Sequence, residues 1–245
     1  MNKLMTAVLL LALAPAAYSQ KAAPRKAPAA KAKPAVAAST AAPAAQSAEA
    51  ARTAEVLARL KAWDDKLDSL SADFTQEVDF REAGLKQSIE GNLRYVKPNL
   101  LRIEHVKPAR QIVVTDKSLI WIYKPEDKQA VRTDWEAWRR TQDQNFSGIL
   151  DFGNYASLTA KNNAAVSGGK DGKPWKVVFT PKSGSAYRLT LTLSPEDYFP
   201  TAAELLVDNT LIRTELKSVT RNGKIDEAVF KFSPPKGVEI LEFNK

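Results

Sequence analysis

The chain has 245 residues, a net charge of +8, no cysteine and one histidine. Without cysteine, disulfide stapling, thiol chemistry and Cys-built metal sites are excluded, and a lone imidazole assembles neither a Ser-His-Asp arrangement nor a His-rich metal centre. The charge is lopsided: residues 1–51 hold six Lys/Arg against one Glu, which leaves 30 basic and 27 acidic residues in the rest, too even a balance for the concentrated basic face that nucleic acid requires.

At the N-terminus, Lys3 precedes an apolar run from Met5 to Leu13, and Ala17-Tyr18-Ser19 stands ahead of Gln20. This small-x-small ending is the pattern of a cleavable signal peptide over residues 1–19, so export is expected. The apolar run is too short to cross a bilayer, which takes about 20 residues. No cysteine follows the cut, so lipid attachment there is excluded and the exported chain is expected to diffuse freely. Residues 20–51 are built from Ala, Pro, Lys and small polar residues, with Pro24, Pro28, Pro34 and Pro43 interrupting any helix. A disordered linker is expected. Its spread-out lysines favour a solvated spacer over a tether that grazes anionic lipid headgroups.

A folded domain is expected over 52–245. It opens with an amphipathic helix from about Ala50 to Leu70, where Val56, Leu60, Trp63, Leu67 and Leu70 form one apolar stripe. After Ser71 the period changes to two: Phe74, Gln76, Val78 and Phe80 alternate with acidic and hydroxyl residues, and after a turn at 81–84 the residues Leu85 to Tyr95 continue the alternation. Further strands are predicted over 100–106, 111–115, 119–123, 129–133, 157–160, 175–181, 187–193, 202–208, 212–220 and 228–233. Arg221-Asn222-Gly223 reads as a hairpin turn. Between Trp135 and Phe152 the pattern becomes helical again, broken at Gly148. The fold class is therefore α+β, mainly β: one curved antiparallel sheet of about 11 strands with two helical covers.

No catalytic or metal constellation emerges. His105 sits on a predicted strand as an exposed or satisfied structural residue. Asp64-Asp65 and Glu126-Asp127 read as solvated carboxylates, and no phosphate loop or nucleophile elbow is present. The protein is read as a binding protein without cofactor rather than an enzyme.

Several segments, in order, carry a resemblance: LSADFTQ (70–76); Gly91-Asn92-Leu93 leading to Lys97-Pro98-Asn99-Leu100-Leu101-Arg102; QIVVTD (111–116) with LIWIYKP (119–125); Gln129-Ala130; and Phe232-Ser233-Pro234-Pro235-Lys236-Gly237-Val238. Across nearly all of 52–243 the chain resembles the periplasmic outer-membrane lipoprotein carrier family, LolA. The resemblance implies an unclosed half β-barrel under a helical lid, with an apolar cavity that receives lipoprotein acyl chains. It further implies a periplasmic monomer that takes acylated lipoproteins from an inner-membrane ABC-type release complex, touches membrane surfaces transiently, and delivers them to an outer-membrane receptor.

On that reading the cavity is lined by some of Phe74, Val78, Leu93, Tyr95, Leu101, Ile103, Val114, Trp121 and Tyr123. Trp135, Trp138, Phe146, Ile149 and Leu150 belong to the lid. Lys97 occupies the place of a family Arg that ties lid to barrel, and the flexible Lys stem cannot reproduce a planar fork. Leu101 replaces an aromatic of the motif, and Arg94 stands where apolar residues are common. Two other readings remain open: a carrier of another lipid or glycolipid, and a non-enzymatic envelope-stress sensor or scaffold that binds a protein partner.

Overall fold

The computed structural model describes residues 43–116, 118–135, 137, 155–169, 171–184 and 187–243. The expected leader, most of the expected linker, and four of the five expected lid residues, Trp138, Phe146, Ile149 and Leu150, lie outside them.

Helix α1 runs Pro43–Asp65, beginning earlier than the apolar stripe and taking in the last residues of the stretch read as linker. Pro43 suits a first helical turn because its missing N–H has no partner there anyway. Within the helix the stripe does what its spacing predicts, with Val56 and Leu60 buried, but the helix ends at Asp65 rather than near Leu70, so Leu67 is buried in the junction that follows and Leu70 in the first strand.

Among the described residues twelve strands follow in one sheet: β1 (Ser69–Phe80), β2 (Leu85–Val96), β3 (Leu100–Lys107), β4 (Gln111–Asp116), β5 (Leu119–Lys124), β6 (Gln129–Asp134), β7 (Asn162–Gly168), β8 (Trp175–Pro181), β9 (Tyr187–Leu193), β10 (Pro200–Val207), β11 (Thr210–Arg221) and β12 (Glu239–Phe243). A short helix α2 (Tyr155–Lys161) precedes β7. The order is β12-β6-β5-β4-β3-β2-β1-β11-β10-β9-β8-β7. Two antiparallel meanders are thus joined along β1 and β11, and the sheet ends on two edges without closing into a barrel.

Four expectations about strands and turns are corrected. The sheet is not wholly antiparallel, because β12 pairs with β6 in parallel, Glu239 opposite Gln129 through Phe243 opposite Thr133. The strand expected at 157–160 is helix α2, and its end is fixed by a buried Asn162, whose Nδ2 donates to the Leu158 carbonyl (2.9 Å) while its Oδ1 accepts from the Tyr187 hydroxyl (2.7 Å). The strand expected at 228–233 is not formed: a 3-10 helix, Glu227–Phe230, capped by the Asp226 side chain accepting from the Ala228 N–H, is followed by chain without regular structure. Nor does Asn222-Gly223 make a hairpin. Asn222 takes a left-handed φ of 53°, and its side chain accepts from the Asp68 N–H (2.8 Å) and donates to the Lys66 carbonyl (2.9 Å). It therefore ends β11 by binding the α1–β1 junction.

The two faces of the sheet differ in chemistry. One carries Leu70, Ala72, Phe74 and Val78 of β1, Ile89, Leu93 and Tyr95 of β2, Leu189, Leu191 and Leu193 of β9, and Val177 and Phe179 of β8, all buried in one cluster with α1. This is the inner face. The outer face is mostly polar, with Asp73, Glu77, Arg188, Thr190 and Lys176 alternating with the inner set, as a period of two requires. Its exception is an apolar patch of Leu100, Val114, Trp121 and Ala130, covered by Phe230 and by the partly buried Val229, Phe232 and Val238 of the segment after β11. That segment crosses the outer face, which is how β12 comes to arrive beside β6 running parallel to it.

Candidate apolar-ligand site

Strand register assigns each side chain to a face without ambiguity. From β2 to β6, Leu93, Ile103, Val113, Ile122 and Val131 are successive cross-strand partners. A second row is Tyr95, Leu101, Thr115, Ile120 and Thr133. Since Leu93 and Tyr95 lie in the α1 cluster, both rows belong to the inner face.

The inner face is divided in two. Over β7–β11, α1 fills it, and arginines stacked on aromatic rings hold the helix there. The Arg52 guanidinium lies 4.8 Å from the Trp175 ring centre and that of Arg59 lies 5.9 Å from Tyr198. Trp175 stacks on Tyr198, and Trp63 meets Phe199 edge-on at 4.9 Å. The Arg52 side chain also donates to the Gly168 carbonyl at the end of β7. This half is a closed core.

Over β3–β6 the cover is different. Val113 and Ile120 pack against Trp135, while Ile103 and Ile122 are only partly buried beside them, as is Val131. Trp135 is fixed by its own N–H donating to the Ser118 carbonyl (2.9 Å), and Asp134 opens a helical turn by accepting from the Ala137 N–H (2.7 Å), an N-cap arrangement. An apolar strip with a helical turn starting above it is the arrangement suited to an apolar ligand.

One end of the strip turns polar. His105 lies edge-on to Phe74 at 5.9 Å, and burial pushes its pKa below the ordinary 6.5, so the ring is neutral at neutral pH. Gln111, opposite it on β4, is buried and its Nε2 has no partner among the described residues. Between them and Lys124 lies a cleft of about 20 Å³, room for a single water. Gly91 completes this end because the Phe74 ring lies across it: a Cβ there would sit 2.6 Å from the Phe74 Cζ.

Of the residues expected to line a cavity, Phe74, Val78, Leu93, Tyr95, Leu101 and Ile103 share the inner face. Val114, Trp121 and Tyr123 do not. They point to the outer face, where Trp121 and Tyr123 meet Phe232 at 5.5 and 5.4 Å. The inner positions of those strands are Val113, Ile120 and Ile122, which the sequence reading passed over. Lys97 is a latch of a different kind: its Nζ donates to the carbonyls of Asp64 and Asp65 (3.4 Å each), and its N–H to that of Asp68 (2.8 Å). It holds the C-terminal end of α1, where a cation is favoured by the carbonyls left without helical partners.

Among the described residues no group of three or more His, Asp or Glu is placed to hold a metal, and no helix is long and apolar enough to cross a membrane.

Residues 65–233 match the family model described as outer membrane lipoprotein carrier protein LolA. An outer-membrane lipoprotein carrier protein of Klebsiella pneumoniae subsp. pneumoniae is 30% identical over 188 residues, 76% of this chain and 87% of that one. One of Salmonella paratyphi A is 29% identical over 193 residues, 78% and 90% of the two chains. Among solved structures, an uncharacterised conserved protein of Thermus thermophilus superposes with a TM-score of 0.49 at 16% identity, covering 78% of this chain and 99% of that one.

Proposed function

The chain belongs to the outer membrane lipoprotein carrier family, LolA, and from that premise we propose that it is a periplasmic carrier that shelters the acyl chains of lipoproteins on its inner face. It takes them from an inner-membrane ABC-type release complex and hands them to an outer-membrane receptor. The carrier performs no chemistry on its cargo and needs no cofactor.

The observation that carries this reading is the division of the inner face. Where α1 lies, the apolar surface is filled by the protein itself. Over β3–β6, Ile103, Ile122 and Val131 remain partly uncovered next to Trp135, and an acyl chain is the ligand such a strip suits. Burying a methylene is worth roughly 0.8 kcal/mol, so one 16-carbon chain gains on the order of 10 kcal/mol. That is enough to carry it across water, and small enough for a receptor with more apolar surface to win it.

The test is to purify the mature protein from a lipoprotein-loaded periplasm, identify co-purifying acylated cargo by mass spectrometry, and titrate the delipidated protein with a fluorescent fatty acid. Ile122→Glu should lose the cargo and weaken the probe at least tenfold, while Thr190→Glu, on the outer face, should leave both unchanged. Delipidated protein that binds no probe and carries no cargo would overturn the reading. Extraction of a different lipid would redirect it to another amphiphile.

A further inference from the structure

A second site lies on the opposite side of the sheet from the acyl strip. Thr220 of β11, Ser71 of β1, Arg94 of β2 and Arg102 of β3 are successive cross-strand partners on the outer face. Two guanidinium groups therefore stand directly opposite one another, a pairing that costs stability unless the charge is answered. Arg102 is answered: its Nε donates to the Glu104 carboxylate (2.5 Å) and its Nη1 to the Val229 carbonyl (3.0 Å), which also holds the C-terminal segment against the sheet. Arg94 is half-buried, yet it has no hydrogen bond or ion pair among the described residues.

In front of Arg94, between the sheet and the segment after β11, is a cleft of about 300 Å³ whose lining includes Ser71, Thr220, Lys224, Ile225 and Asp226. Its walls are anchored. The Ser69 hydroxyl donates to the Gly223 carbonyl (2.7 Å), and Asn222 is tied to the α1–β1 junction. The Asp226 carboxylate is already used, accepting from the Ala228 N–H at 2.9 Å. What faces the cleft is one uncommitted guanidinium, one ammonium and two hydroxyls, all able to donate, against the single carboxylate of Asp226, so two positive charges outweigh one negative.

We propose that this cleft binds a phosphate group, with Arg94 supplying the planar fork, Lys224 a second positive charge, and Ser71 and Thr220 hydrogen bonds to the remaining oxygens. A guanidinium matches two phosphate oxygens at once, and charge-assisted bonds of this kind are the strong ones. The volume exceeds that of phosphate alone, which leaves room for part of whatever the group is attached to, with Ile225 as an apolar wall for that part. The phosphate comes either free in solution or on a lipid headgroup.

The experiment uses the full mature chain. Binding of inorganic phosphate is measured by isothermal titration, and association with vesicles of phosphatidylglycerol in phosphatidylcholine is measured by flotation, for the wild type, Arg94→Gln and Lys224→Gln. Lys224→Gln is a change on an exposed loop and serves if Arg94→Gln proves unstable. Expected is a loss of about tenfold or more in whichever arm binds, with unchanged fatty-acid probe binding, since the inner face is untouched. Phosphate titration that responds to the substitutions identifies a free ligand; vesicle association that alone responds identifies a headgroup. If neither arm binds, or if binding is indifferent to both substitutions, the proposal is overturned.

Discussion

His105 gives the residue scale its clearest consequence. Because burial lowers its pKa below the ordinary 6.5, the folded protein disfavours the charged ring, whereas the unfolded chain takes up a proton freely near that pH. The unfolded state then binds more protons, so the stability that comes with a neutral His105 is whole above the ordinary value and is lost progressively as pH falls below it. The urea midpoint of the wild type should drop between about pH 7.5 and about pH 5 by more than that of His105→Gln, and equal drops would refute the assignment. The residue was legible only in part. Its singularity excluded a catalytic cluster, but its place against Phe74, across Gly91, depends on which strands pair and in what register. Arg94 is the complementary case: in sequence it is one basic residue among many, and its meaning comes from Arg102 standing opposite with its charge already answered.

At the scale of elements, α1 was the most legible feature, since a stripe at helical spacing states its buried face directly. Leu60, fully buried in that face, should cost about 2–5 kcal/mol when cut to Ala, by the measured behaviour of core leucines. Arg59→Ala should cost only about 0.5–1 kcal/mol, the value of one solvent-exposed guanidinium on the half-buried Tyr198 ring. Chemical denaturation of the two variants checks the order, and the reverse order would show that the stacked arginines rather than the stripe hold the helix. Strands β4 and β5 were harder. Ile112 to Val114 and Leu119 to Tyr123 are apolar at every position, because the inner face meets Trp135 while the outer meets Phe230 and Phe232. A strand covered on both sides has no polar alternation to reveal which residues point inward. That is why Val114, Trp121 and Tyr123 were assigned to the wrong face. The eventual cover, residues 225–238, lies a hundred residues away in sequence.

For the whole molecule, the fold class could be read from the long succession of short segments with a period of two. The seam between β1 and β11 and the parallel β12 could not, because no local pattern announces a pairing between distant segments. The outer patch makes the non-local part measurable. Phe230, almost wholly buried against Leu100, Val114 and Trp121, should cost about 3–5 kcal/mol on replacement by Ala. It should also raise binding of a hydrophobic dye, because the patch it seals is apolar and faces outward. A variant with wild-type stability and no added dye binding would show that the segment is an ornament.

The same arm sets an order of events. Residues 225–243 are synthesised after everything they cover, so until they emerge β6 is an unguarded edge and Trp121 an exposed ring. A chain threaded across a membrane from its N-terminus can therefore finish folding only once this late segment has passed through. For the periplasmic carrier proposed above, completion is thereby held back until the far side is reached, where a finished sheet no longer needs to be unravelled for transit.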